Sequence, residues 1–536
     1  MTRTKIVRVD PFNPSDELLA PCAQALREGG LVAFPTETVY GLGSNALDES
    51  AVAKIFQAKG RPQDNPLIVH VSRIESVPPL VLSVSPVALN LMYLFWPGPL
   101  TLLFPRSPQI PARVTAGLPT VGIRMPDHPV AQRLIDLAGV PVAAPSANAS
   151  GRPSPTSFEE VLADLDGKVD YIIDGGYTDI GVESTVLDIS GPVPKILRPG
   201  GLYAEDLQEV LGRVEVIDYS GSGPTPSPGM KYRHYAPKAD VYLATGTPED
   251  QARAIVRFAQ KRMLSGNAVA VLASGENLGR YERLASEYPD LFHVIYLGSR
   301  DDLAPVASRL FSGLRHADHL GASVVFAESF PRVGLGLAIQ NRLERASAGK
   351  HLPEHPEGAP FRILMVCSGN TCRSPMAEEI LKDVWSARSA GVPLEVISRG
   401  TATVWGLPAT PEAVIAADQL GVDLRGHRSA PISQGDMEWA DLVVTMTESH
   451  KKNLLFRFPG YDGKIYTLSE VSSGAVSGDV DDPFGKSQEV YNKTAESLKR
   501  GLTALADRMA RMVKVGEDAW LSGGPDQAQE TQEEHE

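Results

Sequence analysis

Cysteine is nearly absent: Cys22, Cys367 and Cys372 are the only three in 536 residues. So few thiols exclude a disulfide-built scaffold, and two of them five positions apart point to site chemistry in a reducing compartment. Long apolar runs are missing as well. None approaches the ~20 residues that cross a bilayer, and the N-terminal MTRTKIVRVDPFNPSDELL lacks the apolar core of a signal peptide. A cytoplasmic location without a membrane partner is expected. Positive charge is not in excess: the net charge of −14 disfavours a protein that coats nucleic acid with its whole surface, so any anionic ligand must be held locally. No Gly-x4-Gly-Lys-Ser/Thr and no convincing Gly-x-Gly-x-x-Gly occurs, which leaves Walker-type and Rossmann nucleotide sites without support. No repeat of fixed period is present.

What is there is ordinary globular composition, 43% hydrophobic and 22% charged, in a chain too long for one core at ~100–200 residues per domain. An α/β fold is expected throughout. Residues 1–219 alternate β-rich runs (GGLVAFPTET, NPLIVHV, PLTLLFP, PVAAPSAN, YIIDGG, STVLDI) with helical patterns such as DESAVAKIFQAKG and HPVAQRLIDLAG. The Gly, Pro and Ser of SGSGPTPSPG open a linker over 220–238. A smaller α/β pattern of three strands and three helices fills 239–347 and reads as an accessory domain. SAGKHLPEHPEGAP supplies a second linker, 348–360. The third domain, 361–515, opens with FRILMVC, a continuous apolar run suited to a buried parallel strand. The acidic, apolar-poor residues 516–536 read as a disordered tail.

Cys367-Ser-Gly-Asn-Thr-Cys-Arg373-Ser374-Pro375 lies between that strand and the helical pattern MAEEILKDVWSARSA. A loop at a helix N-terminus aims several N–H groups at one point, where the helix dipole also favours anions. The same field favours the thiolate of Cys367, the nucleophilic form. Arg373 can grip two phosphoryl oxygens with its planar fork. Asp481-Asp482-Pro483-Phe484-Gly485 supplies a loop carboxylate as general acid, Asp482 by preference and Asp481 as its competitor. Together these features resemble the low-molecular-weight protein phosphatases, over essentially all of 361–515. The resemblance implies a Rossmann-like parallel sheet, a phosphocysteine on Cys367, Asp482 as acid and then base, Ser374 stabilising the thiolate, a phosphoprotein substrate, and no cofactor or metal. Thr371, where tyrosine-directed members carry a larger aliphatic residue, and Phe484 are similar to the protein-arginine phosphatases. They imply phosphoarginine over phosphotyrosine, since a hydroxyl can accept from a guanidinium. Cys372 reads equally as a thiol that could trap oxidised Cys367 and as a small packed side chain.

In the N-terminal domain, Lys59-Gly60-Arg61-Pro62, Asn65-Pro66-Leu67 and His70 set cations around a glycine, and Ser146-Ala147-Asn148 with Gly151-Arg152-Pro153-Ser154 forms a small polar loop after an apolar strand. With Pro35-Thr36-Glu37-Thr38-Val39-Tyr40-Gly41-Leu42, Thr120-Val-Gly-Ile-Arg124, Glu183-Ser184-Thr185-Val186, Leu197-Arg198-Pro199-Gly200 and Ser227-Pro-Gly-Met-Lys-Tyr-Arg-His234-Tyr235-Ala-Pro237, they resemble the threonylcarbamoyl-adenylate synthases of the YrdC family in their two-domain form. The resemblance spans about residues 1–347 and implies a twisted open α/β sheet domain followed by a small Rossmann-like domain. It also implies a reaction that joins L-threonine, bicarbonate and ATP, with Mg²⁺ accompanying ATP, into threonylcarbamoyl-AMP. The product would pass to a separate transferase of the tRNA threonylcarbamoyl pathway; direct tRNA contact stays open. By the family pattern Lys59, Arg61, Asn65, Thr120, Ser146, Asn148, Ser154, Arg198, His234 and Tyr235 line ATP, while Thr38, His70, Arg124, Ala144 and Ser184 line threonine. His234-Tyr235 would close over the site. His70 also ends an apolar strand and could simply pack there. The competing class is an RNA-binding module with a non-catalytic, phosphate-sensing C-terminal domain.

Overall fold

The computed structural model describes residues 3–217, 235–353, 358–388 and 391–522, the last with side chains to 518. His234 and residues 523–536 therefore lie outside the described residues. Three α/β units follow one another along the chain.

The first is built on an eleven-stranded sheet of mixed direction. At its centre Gly41–Asn45, Val142–Ala143, Ile68–His70, Thr120–Arg124, Leu100–Pro105 and Thr185–Asp188 lie side by side, in that order. The strand runs anticipated from sequence are all present. Lys5–Arg8, Gly41–Asn45, Thr120–Arg124, Lys195–Arg198 and Glu215–Val216 are additional. Two of its helices end on a left-handed glycine. Glu49–Lys59 starts on the Asp48 side chain, which accepts from the Ser50 and Ala51 amides, and stops at Gly60 with φ 62°. Pro129–Ala138 stops likewise at Gly139, φ 66°.

The accessory unit carries a four-stranded, all-parallel sheet ordered Asp240–Ala244, Val324–Glu328, Val269–Ser274, Phe292–Gly298. Its edge strand Phe292–Gly298 and the helix Leu278–Glu287 were not anticipated. The helix is short, polar on average and buries only Tyr281 and Leu284, and burial along the strand does not alternate, so neither stands out as an apolar segment. His351 pairs with Leu243 and Leu352 is buried in the accessory core, so the unit continues past residue 347, into the stretch expected to be linker.

The third unit has a parallel sheet ordered Leu394–Gly400, Phe361–Cys367, Leu442–Thr445, Ile465–Thr467, with FRILMVC flanked on both sides. Its last helix, Gln488–Ser522, runs beyond Val515, and Arg283 pairs with Asp518 at 3.0 Å. The boundary expected at residue 515 falls inside this helix, because its apolar face continues onto the accessory unit. Among the described residues no helix is long and apolar enough to cross a membrane.

Candidate active sites

Loops and strand ends of the large sheet line a cleft that is partly open to solvent. Thr36 and Thr38 follow Val32–Phe34, His70 and Arg124 end neighbouring strands in register, Ala144 to Ser146 follow Val142–Ala143, Ser184 precedes Thr185–Asp188, and Arg198 ends Lys195–Arg198. Nine of the expected residues line this one space: Thr38, Arg61, His70, Arg124, Ala144, Ser146, Ser184, Arg198 and Tyr235. Arg124 donates to Thr38 Oγ1 at 2.9 Å and forms a close ion pair with Glu37, 2.5 Å, in a geometry that is not that of a hydrogen bond. Arg198 donates to the Ser184 carbonyl at 2.9 and 3.2 Å, and Arg61 to the carbonyls of Asn65 and Pro66.

Burial lowers the Arg61 pKa to about 10 and the Arg198 pKa as well. Burial, reinforced by Arg124, drives His70 down to about 3, so its imidazole is neutral, with a buried Nδ1 lacking any hydrogen-bond partner. Burial alone would raise the Glu183 carboxyl, but Arg342, Arg198 and the Ser154 hydroxyl hold it below its ordinary value. Guanidiniums thus face the cavity while its two nearby carboxylates are engaged, Glu37 by Arg124 and Glu183 by Arg342. The remaining positive charge suits an anion.

Not every expected residue faces this space. Lys59 lies buried beneath the Ser146–Asn148 loop, donating to the carbonyls of Ser146 and Asn148, and burial, followed by repulsion from Arg61, drives its pKa well down. Asn148 holds the same loop from its own side, donating to the carbonyls of Ala149 and Arg152. Ser154 donates to Glu183 at 2.6 Å, behind the wall. Thr120 lines a second, smaller cavity with Pro66, Thr101 and Gly122, which shares Ile68 with the first. Asn65 is buried outside the lining set. Thr36, Tyr40 and Glu183 are lining residues that the site reading omitted. They stand within the quoted motifs, but a buried carboxylate or hydroxyl leaves no periodic signal to single it out.

In the third unit the loop 368–372 joins Phe361–Cys367 to the helix Arg373–Ser386. Cys367 Sγ is buried, 2.9 Å from Ser374 Oγ, and accepts from the Asn370 amide at 3.2 Å. Asn370 takes φ 51°, a conformation asparagine tolerates better than most residues. Its side chain explains how that conformation is held: Nδ2 donates to Ser374 and Ser398, Oδ1 accepts from the Ala430 amide, and His427 Nε2 donates to its carbonyl. Arg373 donates to the Val480 carbonyl and to Asp482 Oδ2 at 2.8 Å. Asp482 is half exposed, Asp481 is exposed, and Phe484 presents its ring to solvent. His450 bridges Ser368 Oγ and Thr447 Oγ1 at 2.8 Å each. Burial and the Arg373 charge lower its pKa to about 4. Cys372 Sγ sits 3.5 Å from the Thr410 and Tyr491 hydroxyls, in the apolar core.

Residues 24–200 match the family described as telomere recombination, and residues 202–348 match the threonylcarbamoyl-AMP synthase C-terminal domain. The threonylcarbamoyl-AMP synthase of Pyrococcus abyssi is 48% identical over 325 residues, covering 60% of this chain and 92% of the relative. The chain belongs to the threonylcarbamoyl-AMP synthase family. The Bacillus subtilis member is 47% identical and is covered over 96% of its length. The solved structure of P. abyssi Sua5 complexed with L-threonine superposes with a TM-score of 0.61 at 46% identity, covering 65% of this chain and 99% of that one. To this synthase is joined a second enzyme. Residues 362–515 match the low molecular weight phosphotyrosine protein phosphatases, and the protein-arginine-phosphatase of B. subtilis is 40% identical over 28% of this chain and 97% of its own length.

Proposed function

We propose that the synthase cavity binds ATP, L-threonine and bicarbonate and releases threonylcarbamoyl-AMP and pyrophosphate. The observation that carries this is the set of buried arginines facing one cleft whose carboxylates are already engaged. The threonine amine adds to the bicarbonate carbon with loss of water to give N-carboxythreonine; a carbamate oxygen then attacks the α-phosphorus, and the bond to the bridging oxygen of pyrophosphate breaks. That step needs charge on the phosphates neutralised more than it needs side-chain acid–base chemistry. Arg61 and Arg198 take the nucleotide side. Thr38, Arg124 and neutral His70 take threonine, in keeping with the relative complexed with that amino acid. Mg²⁺ fits as a companion of the triphosphate: the carboxylates at the cavity are committed to arginines, so the phosphates would supply its ligands together with water. A narrow cleft whose arginines are themselves buried favours a small anion over an RNA strand. The test is pyrophosphate release that requires both threonine and bicarbonate; RNA binding without it would overturn the reading.

For the C-terminal domain we infer hydrolysis of protein phosphoarginine. Cys367 thiolate attacks phosphorus, the P–N bond breaks, and Asp482 gives its proton to the departing guanidine nitrogen. Asp482 carboxylate then takes a proton from water as its oxygen bonds to phosphorus, the P–S bond breaks, and phosphate and the Cys367 thiolate are released. Arg373 holds the equatorial oxygens. Thr371 and Phe484 favour arginine over tyrosine. Thr371→Ile should lower phosphoarginine turnover at least tenfold and raise phosphotyrosine turnover. A wild-type domain that prefers phosphotyrosine peptides, with no change on substitution, removes the assignment.

A further inference from the structure

Arg342 lies on the accessory helix Leu335–Ser347, outside the synthase domain, and its side chain has no solvent exposure. Its Nε donates to Glu183 Oε2 at 2.8 Å and its Nη1 to the Pro199 carbonyl at 3.0 Å. The guanidinium carbon stands 5.4 Å from the centre of the Tyr235 ring, and the buried Nη2 has no hydrogen-bond partner. Each contact is a piece of the cavity wall or its immediate support. Glu183 and Tyr235 line the cavity, Pro199 follows the lining Arg198, and the other Glu183 oxygen accepts from Ser154. Nearby, Arg315 of the accessory helix Leu303–His319 donates to the Pro153 carbonyl and pairs with buried Asp164 at 2.9 Å. From the accessory side, Arg315 thus holds the Pro153 carbonyl directly, and Arg342 reaches the Ser154 hydroxyl through Glu183.

Charge accounting gives this arrangement a consequence. Glu183 is buried beside two cations, Arg342 and Arg198. With Arg342 present, Glu183 has a committed partner and Arg198 keeps its charge for a ligand. Without Arg342, a buried carboxylate would turn to Arg198 and neutralise it.

We propose that Arg342 is a positioning residue of the synthase, delivered by the accessory domain of the same chain, which engages Glu183 so that Arg198 stays available to the nucleotide phosphates. The proposal rests on the reading of this cavity as an ATP site. It is tested on the full-length chain by calorimetric titration with Mg–ATP and separately with L-threonine, alongside pyrophosphate-release kinetics. Phosphatase turnover and melting temperature serve as controls of folding. Arg342→Gln should weaken ATP about tenfold, seen also in the KM for ATP, while threonine affinity stays within twofold. Arg342→Lys should recover part of the loss. Adding Glu183→Gln to Arg342→Gln should bring ATP affinity to within threefold of Glu183→Gln alone, because the competing carboxylate is gone. Unchanged ATP affinity in Arg342→Gln overturns the proposal. So does a loss that falls equally on ATP and threonine with a lower melting temperature, or a double variant no better than Arg342→Gln. A wild-type chain that binds no ATP overturns the ATP reading itself, and the inference with it; unchanged variants of an ATP-binding wild type overturn the inference alone.

Discussion

Leu264 ends the accessory helix Pro248–Leu264, yet its fully buried side chain belongs to the apolar core of the phosphatase domain, in one cluster with Phe361, Leu442 and Met509. In return Met512, on the phosphatase's long C-terminal helix, belongs to the accessory core. Polar contacts surround this exchange. The Arg257 guanidinium lies 4.2 Å above the Phe361 ring, Gln260 donates to the Met512 carbonyl at 2.8 Å, Ser265 to the Asp441 carbonyl at 2.9 Å, and Lys261 pairs with Asp441 at 3.1 Å. The helices approach so closely that a Cβ at Gly516 would meet Gln260 Nε2 at 2.3 Å. Two cores that share side chains should melt together. Leu264→Ala removes a buried side chain and leaves a cavity, a change that costs about 2–5 kcal/mol in comparable cores. Taking ~3 kcal/mol, and ~2–4 °C per kcal/mol for a unit of this size, the midpoint should fall by roughly 6–12 °C. Calorimetry and residual phosphatase turnover after graded heating measure it. The expected result is one transition, shifted as a whole, with the phosphatase lost earlier although the substitution lies outside its own domain. Phosphatase inactivation at an unchanged temperature would refute the shared core.

Asp482→Asn should reduce phosphatase turnover by about 10²–10⁴, whereas Asp481→Asn should stay within threefold, since Asp482 is the carboxylate paired with Arg373; equal losses would leave the acid unassigned between them. His70 has a native pKa of about 3 against an ordinary 6.5, so the unfolded chain takes up a proton below pH 6.5 that the native state refuses. Stability must then rise with pH across that window, by roughly 2 kcal/mol from pH 5 to 6.5. Urea midpoints at pH 5 and 7 should converge in His70→Asn, and a pH slope identical to wild type would show that His70 does not carry it. His450, lowered to about 4, acts in the same direction on the phosphatase domain.

The strands whose apolar runs stand between turn residues were legible because burial on both faces leaves a continuous mark. Gly41–Asn45 was not, although it is central. A Cβ at Gly43 would meet Val142 Cγ1 at 2.6 Å and Phe34 Cε1 at 2.7 Å, so close packing writes this strand in glycine and erases its hydrophobic pattern. The site shows the same division. Cations and hydroxyls in ordered motifs were readable, but which of them face the cavity was not. Lys59 reads like a phosphate ligand beside Arg61, yet the helix that carries it turns its ammonium under the loop. Arg342 was invisible as a site residue because its partners are 159 and 143 positions away. Nothing in its local helical pattern distinguishes it from a surface arginine.

The place where the phosphatase docks bears on how the two activities relate. The accessory helix and the turn after it touch Phe361, Asp441 and Gly463, which open or precede three of the parallel strands. Cys367 closes Phe361–Cys367, and His450 follows Leu442–Thr445, at the opposite ends. In an open parallel sheet chemistry belongs at the carboxyl ends, so the amino ends are the surface that can be covered without loss of function. A seven-residue strand at ~3.3 Å per residue separates the interface from the nucleophile by roughly 20 Å. Coupling over that length would need an element with two discrete arrangements biased from both sides. A continuous strand with partners on both edges offers only one. The fusion therefore ties the two domains through a common core while leaving the carboxyl ends of the phosphatase strands uncovered by it. Phosphatase turnover should be the same with and without saturating ATP and threonine.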